Sequence, residues 1–246
     1  MQCVKPFVSE CMYKLLSNCT MQHYPAVDAA RLFDVDRLYV LHARRNVKRG
    51  DFQLKQLKSL NTASWFVTGC DGEDLSVRDR ECAWVASSGV STPRGSEVIK
   101  ANAALAHFFC SPAETVMILE DDAEVIPENA HIVNAALQKL TNKFDILYIG
   151  SYSPNGLDPL KDGVHRKTNA SVPSHRGPGR MMPATSIVVS KKGAQQWLKY
   201  GGLVTSNFDM HMSDSRFHHV STDTFYVKPY AFKPNQHLAK EAIGKA

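Results

Sequence analysis

The chain lacks a CxxC pair, a long apolar run, a glycine-rich loop after its first strand and a strong charge of either sign, and each absence removes a class of protein. Without CxxC spacing, the six cysteines at Cys3, Cys11, Cys19, Cys70, Cys82 and Cys110 do not make a zinc ribbon. In a chain of 246 residues they read as free thiols, which fits a reducing compartment. No segment approaches the ~20 apolar residues of a membrane span. Lys5, Glu10, Lys14, His23 and Asp28 interrupt any apolar run in residues 1–30, so no signal-peptide core forms and a cytoplasmic location is expected. The sequons at Asn18 and Asn169 then count as chance matches. A net charge of +5 suits an anionic small ligand but is too weak to argue for nucleic acid.

What is present is alternation. Arg37–Leu41, Ser64–Thr68, Thr115–Leu119, 144–149, Ser186–Val189 and 224–227 are short runs rich in β formers, as buried strands are. Between them lie helical patterns: one with Phe52, Leu54, Leu57 and Leu60 as its apolar side, then Ser96–Cys110, Glu128–Leu140 and Lys192–Tyr200. Residues 1–34 are poorly patterned and are set apart as an N-terminal extension, with one short helix over Val8–Leu16. Residues 73–95 and 151–180 read as loops, the second with four Gly and four Pro, long enough to suggest a functional segment such as a lid. The expectation is an α/β fold over residues 35–246, with a mixed, mostly parallel twisted sheet flanked by helices. In such sheets, ligands bind at the carboxyl ends of strands.

The triplet Glu120-Asp121-Asp122 stands at such an end, directly after Val116-Met-Ile-Leu119. If the chain stays extended, Glu120 and Asp122 share one face and Asp121 takes the other. Two carboxylates on one face suit a hard divalent cation, Mn²⁺ or Mg²⁺, which can offset the charge of a departing phosphate.

Val116-Met-Ile-Leu-Glu-Asp-Asp-Ala123 resembles the "LEDD" signature of glycosyltransferase family 25, the lipopolysaccharide-type and procollagen galactosyltransferases. Other blocks are similar in order: Leu38–Arg45 with Arg49, Asp71-Gly72, Asn102–His107, Asp145–Gly150, Ser186–Ala194 and Asp209. The family's Asn-Leu after the first strand is His42-Ala43 here, and its Gly-Cys before the histidine block is Asn102-Ala103.

The resemblance implies a GT-A-like (Rossmann-type) fold and an inverting transfer of a hexose, galactose or glucose, from a UDP-sugar. The acceptor would be a hydroxyl on a glycan, glycolipid or protein. It gives Asp209 as the general base. Arg45, Asp71, Gly72, His107 and Asp121 become donor-binding residues, and Glu120 and Asp122 metal ligands. His237 is taken as the third ligand ahead of His211, since imidazole accepts Mn²⁺. Two other readings stay open. One is a sugar-phosphate nucleotidyltransferase, for which the single Gly50 after the first strand is a poor triphosphate loop. The other is an inactive glycan- or protein-binding module on the same fold.

Overall fold

A computed structural model describes residues 1–26, 31–83, 90–141, 143–150, 162–166, 173–174, 177–178, 185–200, 202–204, 224–235 and 237–238. After a 3-10 turn at Gln2–Val4, the elements run α1 (Glu10–Ser17), β1 (Thr20–Tyr24), β2 (Arg37–Leu41), α2 (Val47–Leu60), β3 (Ser64–Thr68), α3 (Val77–Ala83) and α4 (Thr92–Phe109). There follow β4 (Thr115–Glu120), β5 (Ala123–Val125), a 3-10 turn at Pro127–Asn129, α5 (Ala130–Leu140), β6 (Ile146–Tyr148) and β7 (Gly163–Arg166). The two-residue strands β8 (Pro173–Ser174) and β9 (Gly177–Pro178) pair with each other, and β10 (Ser186–Ser190), α6 (Lys191–Tyr200), β11 (Thr224–Lys228) and β12 (Phe232–Pro234) complete the order.

Eight strands form one mixed sheet in the order β1-β3-β2-β4-β10-β6-β11-β7. The pairings β2–β3, β2–β4 and β6–β11 are parallel, so β2, β3, β4, β6 and β11 all point one way. β1, β10 and β7 run against them. Helices cover both faces, and the strands show why. In β2, Tyr39 and Leu41 enter one core with Val116 and Ile118 of β4, while Leu38 and Val40 enter the other with Met117 and Leu119. Every position of such a strand except at its ends is buried, so it reads as a continuous apolar run rather than an alternation. The first core is closed by α1, α4 and α6, the second by α2 and α5.

The cysteines are not free thiols. Cys3–Cys110, Cys11–Cys82 and Cys19–Cys70 are disulfides, and no free cysteine remains. Each bridge ties the first 19 residues to a distant part of the chain, with separations of 107, 71 and 51 residues. The eight-residue intervals between Cys3, Cys11 and Cys19 could look like a framework but did not reveal the partners, because each partner is brought up by the sheet and by α3 and α4. Three disulfides belong to an oxidising environment, so the argument for a reducing compartment falls with the free thiols. Among the described residues no helix is long and apolar enough to cross a membrane. The same N-terminal segment supplies β1, which pairs antiparallel with β3 at the sheet edge. Gly69 ends β3 with φ of +77°, and a Cβ there would lie 2.8 Å from Thr20 Oγ1.

Residues 73–95 are not all loop. α3 begins at a reciprocal cap in which Ser76 Oγ accepts from Asp79 N–H at 3.1 Å, while Asp79 accepts from Ser76 N–H at 2.9 Å. Ser-x-x-Asp is a start signal that the sequence carries in plain view. α4 starts at Thr92, ahead of the expected Ser96, with Pro93 in its first turn. The lid expected over 151–180 lies mostly outside the described residues.

Candidate functional site

β2, β3 and β4 end side by side at Leu41, Thr68 and Glu120. From β2 the chain crosses to β3 on one side and then to β4 on the other. Where the strand order reverses in this way, such sheets usually offer ligands a crevice at the carboxyl ends of the strands. The segments at that position are His42–Arg45 after β2, Asp71–Asp74 after β3, Glu120–Asp122 after β4, and the first turn of α2.

β4 closes at Glu120, and the next two residues turn instead of extending. The face-sharing expected for Glu120 and Asp122 therefore does not carry through the triplet: Asp121 and Asp122 both meet one arginine. Arg49 Nη1 donates to Asp121 Oδ1 at 2.6 Å, and Nη2 lies 3.2 Å from Asp122 Oδ2. Asp121 Oδ2 is held by His42 Nδ1 at 3.0 Å and by Ala43 N–H at 3.3 Å. Burial works to raise the Asp121 carboxyl, but His42 and Arg49 outweigh it and hold it below the usual carboxylate range. Burial also raises Asp122, where Arg49 opposes the shift and Asp121 adds to it, and the net direction is up. Asp122 Oδ1 is buried without a hydrogen-bond partner. Arg49 itself stays firmly charged, because Asp121 and Asp122 overcome the cost of its burial.

Gly50 and two glutamines explain how α2 comes so close. A Cβ at Gly50 would lie 3.0 Å from His42 Nε2, so the glycine makes room for the imidazole against the helix. Gln53 and Gln56 are buried and donate to Ala123 C=O at 2.7 and 2.9 Å, while Gln56 accepts from Val125 N–H at 2.7 Å. The apolar side expected from Phe52 and Leu54 is thus displaced, and both side chains are only half-buried. Buried glutamines are satisfied here because β5 offers backbone partners.

The other expected donor residues fall in three places. Asp71 is buried, with one oxygen on the Lys100 ammonium and the other on Arg44 N–H at 3.0 Å. Burial would raise its carboxyl, yet Lys100 and Arg44 lower it on balance. Lys100, from α4, also donates to His42 C=O at 2.8 Å and so locks the ends of β2 and β3 together. Gly72 shares that turn, closed by Asp74 N–H on Asp71 C=O at 2.8 Å. Arg45 is well exposed and pairs with Glu73 at 3.8 Å, while Arg44 pairs with Asp74. Arg49, not Arg45, is the arginine on the acidic turn.

His107 sits about two helical turns past Lys100 on α4, away from the crevice. Its Nδ1 lies 2.6 Å from the Tyr39 hydroxyl. Burial pushes Tyr39 up to about 12 and, with help from Arg37, lowers His107. The neutral pair then has Tyr39 O–H donating to the imidazole. Asp209 and His211 lie outside the described residues. His237 is exposed, on a segment fastened to the acidic turn by Asn235 N–H on Asp122 C=O at 2.8 Å and Arg49 on Leu238 C=O at 3.3 Å.

The two aspartates by themselves do not offer a divalent ion its donor set as they stand. Of the two aspartates, both oxygens of Asp121 and one of Asp122 already have partners, leaving only the buried Asp122 Oδ1. Hard cations take six or more oxygens. Among the described residues no group of three or more His, Cys, Asp or Glu side chains is arranged to hold a metal.

No family model matches the chain. No curated protein matches it either. Among solved structures, S. aureus TarS 1-349 is similar, with a TM-score of 0.44 and 9% identity. The match covers 81% of this chain and spans 60% of that one. So distant a likeness carries no functional argument, and the resemblance to family 25 rests on the sequence blocks quoted above.

Proposed function

We propose that this chain is a glycosyltransferase that takes a nucleotide-sugar donor in the crevice at the ends of β2, β3 and β4. One observation carries the reading. The acidic turn of the Val116–Ala123 block stands at the switch point of the sheet, joined by Arg49 to the basic turn that follows β2. An aligned cluster of opposite charges at that position suits a ligand with both hydroxyls and a diphosphate.

In this reading the exposed guanidiniums of Arg44 and Arg45 meet the donor's phosphate oxygens, for which their fork geometry is suited. Asp71 and Lys100 act by holding the walls of the crevice, and His107 supports the core through Tyr39. Transfer with inversion forms a bond from the acceptor oxygen to the anomeric carbon and breaks the bond from that carbon to the diphosphate. The acceptor proton goes to a general base, and Asp209 is our candidate. UDP as the nucleotide, a hexose as the sugar and a glycan, glycolipid or protein hydroxyl as acceptor belong to the same proposal. We carry no step through a divalent ion, because three of the four oxygens of Asp121 and Asp122 are already engaged.

The test is a thermal-shift screen of nucleoside diphosphates and nucleotide sugars. UDP and one UDP-hexose are expected to raise Tm, and the Arg44→Ala/Arg45→Ala double variant to weaken both. A chain that ignores every nucleotide yet binds glycan is a binding module, and the proposal then fails.

A further inference from the structure

Arg49 lies where a cation for the acidic turn would be sought. Its two terminal nitrogens divide between Asp121 at 2.6 Å and Asp122 at 3.2 Å, and Nη2 also reaches Leu238 C=O at 3.3 Å. The side chain is 16% exposed, so these are desolvated pairs, not a screened surface contact. The surroundings are built to keep it there. Gly50 seats the His42 ring, His42 and Ala43 N–H fix the far oxygen of Asp121, and Asn235 N–H pins the backbone of Asp122. Two atoms are left over inside this cluster: Arg49 Nε and Asp122 Oδ1 are both buried without partners. The guanidinium therefore supplies the charge that the aspartates need but does not satisfy them completely.

We propose that Arg49 is the resident counter-cation of the acidic turn, and that a divalent ion competes with it for Asp122. Two cations do not share the same pair of carboxylates at short range without strong repulsion. A metal entering from solvent gains the open Asp122 Oδ1 only by displacing the guanidinium from Oδ2 or by accepting its charge beside it. Arg49 thus already offsets part of the charge of the metal-free acidic turn, and it sets how weakly the turn takes up a divalent ion. The inference uses the crevice of the preceding reading but needs no nucleotide, so the two fail separately. Absence of UDP binding sinks the glycosyltransferase and leaves Arg49 untouched.

The experiment titrates Mn²⁺ alone into the full chain and reads free Mn²⁺ by electron paramagnetic resonance. Arg49→Gln is expected to bind Mn²⁺ at least tenfold more tightly than the parent. The double variant Arg49→Gln/Asp122→Asn is expected to lose that gain. Equal or tighter binding by the parent overturns the proposal, as does a gain that survives Asp122→Asn. If Arg49→Gln has no cooperative melt, Arg49→Lys takes its place: one ammonium cannot span both carboxylates, and Mn²⁺ affinity should rise at least threefold. No rise in a folded Arg49→Lys protein equally overturns it.

Discussion

Removing the Cys19–Cys70 bridge, with the other two intact, should cost about 3 kcal/mol of stability. Alone, this bridge would close a loop of 51 residues, for which chain entropy gives about 4 kcal/mol. The Cys11–Cys82 bridge already shortens that path. With it in place, the route from Cys19 to Cys70 runs through roughly 20 residues, and the same relation gives about 3 kcal/mol. Cys70 is buried and immediately precedes Asp71, whose carboxylate carries Lys100 and Arg44. Loosening should therefore reach the crevice as well as the N-terminal segment. The assay is urea unfolding of Cys19→Ala/Cys70→Ala against the parent, followed by far-ultraviolet circular dichroism. Hydrogen exchange at 70–74 checks the local effect. Non-reducing mass spectrometry after thiol alkylation must first show all six cysteines of the parent unlabelled. A loss below about 1 kcal/mol, or alkylated cysteines in the native parent, would refute the reasoning.

Two further predictions follow from the buried charges. Lys100→Met keeps the side chain's bulk but leaves Asp71 buried without its main partner, so a loss of about 3–5 kcal/mol is expected in the same urea assay. Acid unfolding has a sign that differs between residues. Asp71 and Asp121 have lowered carboxyls, so the stability they contribute is present above the ordinary value of 3.8 and lost as pH falls through their folded values. Asp122 is raised, so its contribution is full below 3.8 and lost as pH rises through its folded value. Asp122→Asn should therefore flatten the upper part of the pH–stability curve, while Asp121→Asn removes part of the acid limb, both measured by Tm against pH.

The sequence by itself determined the strands that build the site. β2 and β3 fall at Arg37–Leu41 and Ser64–Thr68 as the runs of β formers predict, and β4 extends one residue beyond expectation, to Glu120. Those strands are buried on both faces, so their composition alone marks them. The placement of the acidic turn at a strand's carboxyl end was legible for the same reason. Partners across the chain were not. Arg49 and Asp121 are 72 residues apart, Lys100 and Asp71 29, and Cys3 and Cys110 107. Each pairing depends on strand order and on which end of a helix reaches the crevice. Arg44, Arg45 and Arg49 look alike in sequence, but the turn into α2 sends the first two toward Asp71–Asp74 and the third onto the triplet. Gln53 and Gln56 are buried because β5 offers them a carbonyl and an N–H. Composition fixes what a segment prefers to be; only the tertiary structure decides which charge each charge will meet.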